Sequence, residues 1–165
     1  QELVKVIDLE QHFESIPLKV SNAEIVAGVR RPTDEEVKVA ERKLLEAEKP
    51  LKGLPLIYAR ETVLLSEYPP SVKLPLQVIR VGDLGIIACP CETFTETGLA
   101  LKKASTFEKT FTVSLANGYF GYLPPPTQHL MGGYETWRAR SSFLASDTEP
   151  KVLSTLKRLL KEAKQ

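Results

Sequence analysis

The feature that most constrains this chain is a short apolar run, Leu84-Gly85-Ile86-Ile87-Ala88-Cys89, bounded by Gly82-Asp83 before it and Pro90 after it. An apolar run held between turn signals reads as a buried strand. The residues ahead of it, Leu76-Gln77-Val78-Ile79-Arg80-Val81, alternate, so Gly82-Asp83 becomes the turn of a hairpin. A buried strand requires covering layers, which points to packed α/β architecture. The run ends close to a carboxylate, Glu92. A strand that stops at an acid puts it on the edge of the sheet, where open α/β sheets gather their sites.

The remaining pattern fills in around that strand. Residues 3–9 alternate loosely and read as a strand; Ile16 to Val20 reads as a short edge strand, because Pro17 disfavours a central position. Thr33 followed by Glu36 is a capping-box pattern, and Val37, Ala40, Leu44 and Ala47 continue at helical spacing until Pro50 and Gly53. Leu56 to Leu65 reads as a second helix with Ile57, Val63 and Leu64 apolar and Arg60 and Glu61 outward. Glu92 to Ala104 reads as a helix with Phe94, Leu99 and Leu101 inward, and Phe111 to Leu115 as a strand. Near the end, Asp147 or Thr148 caps a helix whose stripe is Val152, Leu156, Leu159 and Ala163. The expectation is an α/β fold, a mixed β-sheet flanked by helices, forming one unit over 1–165 that belongs to a larger layered α/β domain.

Composition narrows the function. The 165 residues suffice for one domain with a real core. Lys and Arg number 22 against 21 Asp and Glu, a balance that argues against nucleic acid or an anionic membrane surface as the main partner. No apolar run approaches the roughly 20 residues of a transmembrane helix, and no basic-then-apolar leader opens the sequence. The chain starts Gln1-Glu2 and its single methionine is Met131, so we expect the C-terminal piece of a longer protein. Cys89 and Cys91 stand too close along an extended strand for an unstrained disulfide, and no further cysteine completes a thiolate metal site. Reduced, packed thiols are expected.

Chemistry must come from few residues. The two histidines are His12, in a polar stretch where a solvated role is expected, and His129, inside a loop rich in tyrosine, glycine and proline. Gly-x-Ser-x-Gly, phosphate-loop, His-Glu-x-x-His and Gly-x-Gly-x-x-Gly patterns are all missing from the sequence. Glu92 reads equally as charge compensation at a helix start or as a metal ligand or general base. Tyr119, Tyr122 and Tyr134 read as amphipathic cover for the core or as functional phenols facing that acid.

Three segments in order give a resemblance. Pro90-Cys91-Glu92-Thr93-Phe94, Asn117-Gly118-Tyr119-Phe120-Gly121-Tyr122 and Gly133-Tyr134-Glu135 resemble segments of the neutral/alkaline ceramidase family, zinc-dependent amidases that cleave the N-acyl bond of ceramide. Tyr134 follows Tyr122 by twelve residues, a separation that fits the family. The resemblance implies Glu92 and Tyr122 as zinc ligands and Tyr134 as donor to the oxyanion of the tetrahedral intermediate. It implies zinc as cofactor, polarising an amide carbonyl and lowering the pKa of a bound water toward about 7, and a lipid amide as substrate. It also implies a secreted, periplasmic or membrane-associated setting. Cys91 stands where the family has glycine. The family's two zinc-ligating histidines lie upstream of the matching part. The resemblance therefore implies an N-terminal portion of the same protein, or a partner chain, that supplies those histidines, or else a relic module without activity. Two other classes stand beside it: a non-catalytic α/β interaction subunit, and a hydrolase built on His129 with a nearby acid or serine.

Overall fold

A computed structural model describes residues 14–165, so the strand reading over 3–9 and His12 lie outside the described residues. The first strand, β1 (Leu18–Gly28), leads to helices α1 (Asp34–Leu45) and α2 (Leu54–Ser66). The hairpin β2 (Ser71–Val81) and β3 (Leu84–Cys89) follows, then a two-residue strand β4 (Glu92–Thr93), helix α3 (Thr95–Ala104) and β5 (Lys109–Ser114). A second two-residue strand β6 (Tyr122–Leu123), the short helix α4 (Pro126–Met131) and the long helix α5 (Thr148–Lys164) complete the chain.

The main sheet has the order β1-β2-β3-β5. Its first three strands run antiparallel and β5 joins β3 in parallel, so the sheet is mixed and the fold is α/β, as the sequence indicates. Helix α5 lies across β1 and β2, with α3 beside it. Its stripe is fully buried: Val152, Leu156, Leu159 and Ala163 meet Leu74, Leu76, Val78 and Ile87 from the sheet. Burying a leucine of this kind contributes roughly 1.5–3 kcal/mol, so this contact supplies much of the core.

Local chemistry explains the elements. In α1 the Glu36 amide donates to Thr33 Oγ1 at 3.3 Å and the Thr33 amide donates to Glu36 Oε2 at 2.7 Å, the reciprocal box read from the sequence. Helix α2 starts at Gly53, whose φ of +84° suits glycine, with Pro55 in the first turn.

Four readings need correction. The edge strand is not a short piece ending at Val20 but eleven residues, paired with β2 from Leu18↔Val81 to Gly28↔Ser71; the polar Ser21-Asn22 and Glu24 hide an alternation that pairing imposes. β2 likewise starts before Leu76, at Ser71, and includes Pro75. β3 pairs with β2 over Gln77 to Val81, so Pro75 lies where β2 has β1 as its single neighbour, the kind of edge position that tolerates proline. Helix α3 begins at Thr95 rather than Glu92, and Leu99 is exposed while Thr97 and Leu101 are buried. At 100° per residue, positions 99 and 101 point away from each other. Glu61 is not outward: it is buried, because Arg140 from a distant loop folds over it. Cys89 and Cys91 are buried free thiols, as expected.

Candidate functional site

Two loops meet where the parallel strands β3 and β5 end. Cys89-Pro90-Cys91 carries β3 into Glu92, and residues 115–121 carry β5 into Tyr122. Backbone bonds stitch them: Ala116 N–H donates to the Cys89 carbonyl at 3.0 Å, Leu115 N–H to Cys91 at 3.1 Å and Phe120 N–H to Pro90 at 2.9 Å. Leu115 (φ 58°) and Asn117 (φ 66°) occupy the left-handed region. For a leucine that conformation stores strain, of a kind that gathers at functional sites.

The result is a short parallel pairing in which Glu92 and Tyr122 are direct neighbours. Glu92 N–H donates to the Gly121 carbonyl at 2.9 Å, and Tyr122 N–H to the Ser141 carbonyl at 2.8 Å. The third residue singled out by the sequence is here too. The rings of Tyr122 and Tyr134 meet edge to face, 5.7 Å between centroids at 83°. So the structure brings Glu92, Tyr122 and Tyr134 together. Glu92 sits on a bridge ahead of α3, not in its first turn, which removes the reading of it as a simple helix-dipole acid.

Electrostatics tie the group together. The Tyr122 hydroxyl is pushed well above the ordinary phenol range, first by its interaction with the Tyr134 hydroxyl, then by burial and by the Glu92 charge. Tyr119, on the same loop, is raised by burial and then by Glu92 and Tyr68. Both phenols are therefore held neutral beside an acid. A cation between Glu92 and Tyr122 would reverse that preference.

The donor set gives a direct test of fit for zinc. Backbone register makes Glu92 and Tyr122 neighbours, and a carboxylate and a phenol could supply two ligands of a four-ligand tetrahedral shell. Among the described residues no three His, Cys, Asp or Glu side chains gather into a metal site. The pair fits half a shell. His129, on α4, makes no side-chain hydrogen bond to an acid or serine among the described residues; burial and the Arg30 charge lower its pKa.

Sequence reasoning missed the brace behind the site. The Arg30 guanidinium reaches across the fold to the Thr136 carbonyl (2.9 Å), the Ser142 carbonyl (2.7 Å) and Ser142 Oγ (3.0 Å). Arg140 grips Glu61 with two bonds, Nε to Oε2 at 2.8 Å and Nη2 to Oε1 at 3.0 Å. Together they clamp residues 134–142, which hold Tyr134 at one end and the Ser141 carbonyl under Tyr122 near the other. The available signal was Glu61, an acid within a mostly apolar helix. Beside the tyrosines lies a cleft of about 460 Å³ lined by Tyr58, Glu61, Tyr68, Tyr119, Arg140 and Ser141.

One carboxylate and two phenols thus lie together at the edge of a mixed α/β sheet. No family model matches the sequence, and no curated protein matches it. Among solved structures, the fold is similar to that of neutral ceramidase from Pseudomonas aeruginosa, with a TM-score of 0.58 and 16% identity over 90% of this chain. The chain spans 29% of the length of that enzyme. A structure of a ceramidase complexed with C2 is similar at a TM-score of 0.47 and 18% identity, over 71% of this chain and 20% of that one. At such identities the likeness to neutral ceramidase is one of fold. The chain has the fold of a portion of that enzyme.

Proposed function

We propose that this chain is the carboxylate- and phenol-bearing portion of a ceramidase-like zinc amidohydrolase acting on the N-acyl bond of a lipid amide. The observation that carries the reading is the pairing of Glu92 with Tyr122 while the Tyr134 ring stands 5.7 Å from that of Tyr122. The fold shared with neutral ceramidase supports it. In this reading Glu92 and Tyr122 hold zinc, and two histidines from an upstream portion or a partner chain complete the shell. Zinc, when bound, supplies Lewis acidity toward an amide carbonyl. Glu92 contributes a carboxylate at the edge of the sheet, and Tyr122 a phenol held neutral until a cation arrives. Tyr134, a neutral phenol, donates to the carbonyl oxygen as negative charge develops there. Exposed Tyr119, on the loop that leads to Tyr122, lines the neighbouring cleft. Water would form the new C–O bond at the amide carbon as the C–N bond breaks, its proton passing to the leaving nitrogen, to give a fatty acid and an amine.

The competing classes gain little. An interaction subunit predicts a closed apolar cover over the tyrosine loop and a Glu92 bonded only to backbone or to arginine; the bonding of Glu92, to the Gly121 carbonyl, suits it, but Tyr119 and Tyr134 are exposed rather than covered. A His129 hydrolase requires an acid or serine partner, and none is hydrogen-bonded to His129 among the described residues.

Metal analysis of the complete protein after equilibration with zinc tests the reading. We expect about one zinc per molecule, as in a single tetrahedral site, and a large loss in Glu92→Gln and Tyr122→Phe. Tyr134→Phe keeps the metal and lowers kcat by about 10²–10³. A complete wild-type protein that stays free of zinc under saturating conditions overturns it.

A further inference from the structure

Glu92 is held from both sides by one turn of chain. Ahead of it, the Cys91 carbonyl accepts the Leu115 N–H at 3.1 Å. After it, Thr93 meets Ser114, the last residue of β5 and the one before Leu115. Thr93 Oγ1 and Ser114 Oγ share a hydrogen bond of 2.5 Å, and the Thr93 N–H donates to Ser114 Oγ at 3.4 Å. A serine hydroxyl has one proton and two lone pairs, so a single Oγ can serve both contacts. Among the described residues these are the only side-chain hydrogen bonds of β4.

Strand geometry gives the contact its consequence. The Glu92 N–H turns toward β6, where the Gly121 carbonyl accepts it at 2.9 Å. Successive N–H groups of a strand turn to opposite sides, so that of Thr93 faces away from β6 and finds Ser114. Side chains alternate too. Glu92 and Tyr122 share one face of the small ribbon; Thr93 and its register partner Leu123, which is buried, share the other. Pinning Thr93 on its face therefore sets the direction of Glu92 on the opposite one. The ribbon cannot do this unaided, because two short paired strands are marginal by themselves.

We propose that Ser114 is a positioning residue of the site, whose hydroxyl holds Thr93 so that Glu92 presents its carboxylate on the Tyr122 face. The inference rests on the proposed function for the metal that Glu92 and Tyr122 hold; the anchoring of β4 to the end of β5 stands without it. It also gives the left-handed Leu115, with φ 58°, a use. The turn there lets the Leu115 amide reach the Cys91 carbonyl while the residue before it reaches Thr93. Two consecutive residues thus bracket Glu92. Partners that orient a metal ligand from behind typically carry about 10–100-fold in metal affinity, and Ser114 acts on Glu92 in this way, through Thr93.

Variants of the complete protein test it: Ser114→Ala, Thr93→Val, the two combined, and Thr93→Ser. Zinc affinity is read by competition with a chromogenic chelator, with the melting temperature measured alongside. Ser114→Ala and Thr93→Val should each weaken zinc binding by about 10–100-fold. The double variant should match the single ones within about twofold, since both remove one contact. Thr93→Ser keeps the hydroxyl and should retain the wild-type affinity. A merely structural contact would lower the melting temperature and leave zinc affinity where it was, and that result overturns the proposal. So do a Thr93→Ser variant that loses as much as Thr93→Val, and losses that multiply in the double variant. NOEs from the Glu92 side chain to the Tyr122 ring, recorded before zinc is added, separate this inference from the function it rests on. They should weaken in Ser114→Ala. A wild type that takes up no zinc, but whose NOEs depend on Ser114, removes the metal site and leaves the positioning role. A wild type that binds zinc no more tightly than Ser114→Ala removes the positioning role and leaves the metal site.

Discussion

The half of the sheet beneath α5 and the edge that bears Glu92 are built by different rules. Under α5, periodicity decides the structure: a helical stripe meets alternating strand residues, and each contact repeats the chemistry of the last. At the edge nothing repeats. Glu92, Tyr122 and Tyr134 come together through a strained leucine, a glycine against a carbonyl, Arg30 reaching in from beyond β1, and Arg140 of the tyrosine-bearing segment anchored on Glu61. The first region is redundant and thermodynamically heavy. The second is a set of single points, each of which moves the site with modest effect on the fold.

The largest effect should separate them most sharply. Leu156 is fully buried between α5 and the sheet, so Leu156→Ala should cost about 2–5 kcal/mol. Denaturant titration checks it, and the loss should be seen equally by probes in every element. A loss under about 1 kcal/mol would mean that α5 is a removable cover rather than the core.

Gly121→Ala should produce the reverse profile. Gly121 has a φ of +71°, and a Cβ there would stand 2.3 Å from the Ser141 carbonyl oxygen. The Glu92–Tyr122 pairing uses both neighbours of that contact. Strain at such a backbone position costs about 1–3 kcal/mol, less than the core deletion, yet the Tyr122 and Tyr134 ring resonances should shift and zinc uptake by the complete protein should collapse. Unchanged ring resonances would show that the loop tolerates displacement.

These two substitutions also mark how much was legible in advance. The α5 stripe, the Gly82-Asp83 hairpin and the Thr33 capping box could be read directly, because each depends on residues near in sequence. Glu92, Tyr122 and Tyr134 could be named only through three short segments; periodicity says nothing about loops that meet across a sheet edge. Leu99 was misread because its apolar character outweighed its helical phase. Glu61 was misread because its partner lies 79 residues away. The strand from Ser21 to Gly28 stayed hidden for the same reason, since its partner β2 imposes what its own residues do not state.

A smaller effect tests the brace. Glu61→Gln removes the charge that Arg140 grips with two bonds and should cost about 1–3 kcal/mol. Arg140, ahead of Arg60, holds the Glu61 carboxyl below its ordinary range. A depressed carboxyl contributes stability that is complete above the ordinary carboxylate pKa and lost as pH falls through the folded value. Wild type should therefore lose stability over Glu61→Gln between neutral pH and the acid range. A constant difference across that range would place the energy in packing instead of charge. Tyr134 mobility, read by ring-flip rates, should rise in the variant.

The smallest expected effect lies where the two regions touch. Glu36 closes the cap of α1 and also accepts a bond from Arg138 Nη2 at 2.7 Å, joining a scaffold helix to the loop behind Tyr134. Arg138, and after it the Thr33 amide, lower the Glu36 carboxyl from 4.5 to about 2. The pair is well exposed, so solvent screening reduces its worth to a few tenths of a kcal/mol, while the cap itself adds about 1 kcal/mol. Arg138→Ala should remove the first contribution alone and Thr33→Ala the second. Both should be felt above pH 4.5 and the Arg138 difference should fade as pH drops toward 2. If Arg138→Ala instead alters the tyrosine resonances as Gly121→Ala does, the exposed pair is a strut of the site, and the boundary between the two regions lies inside α1.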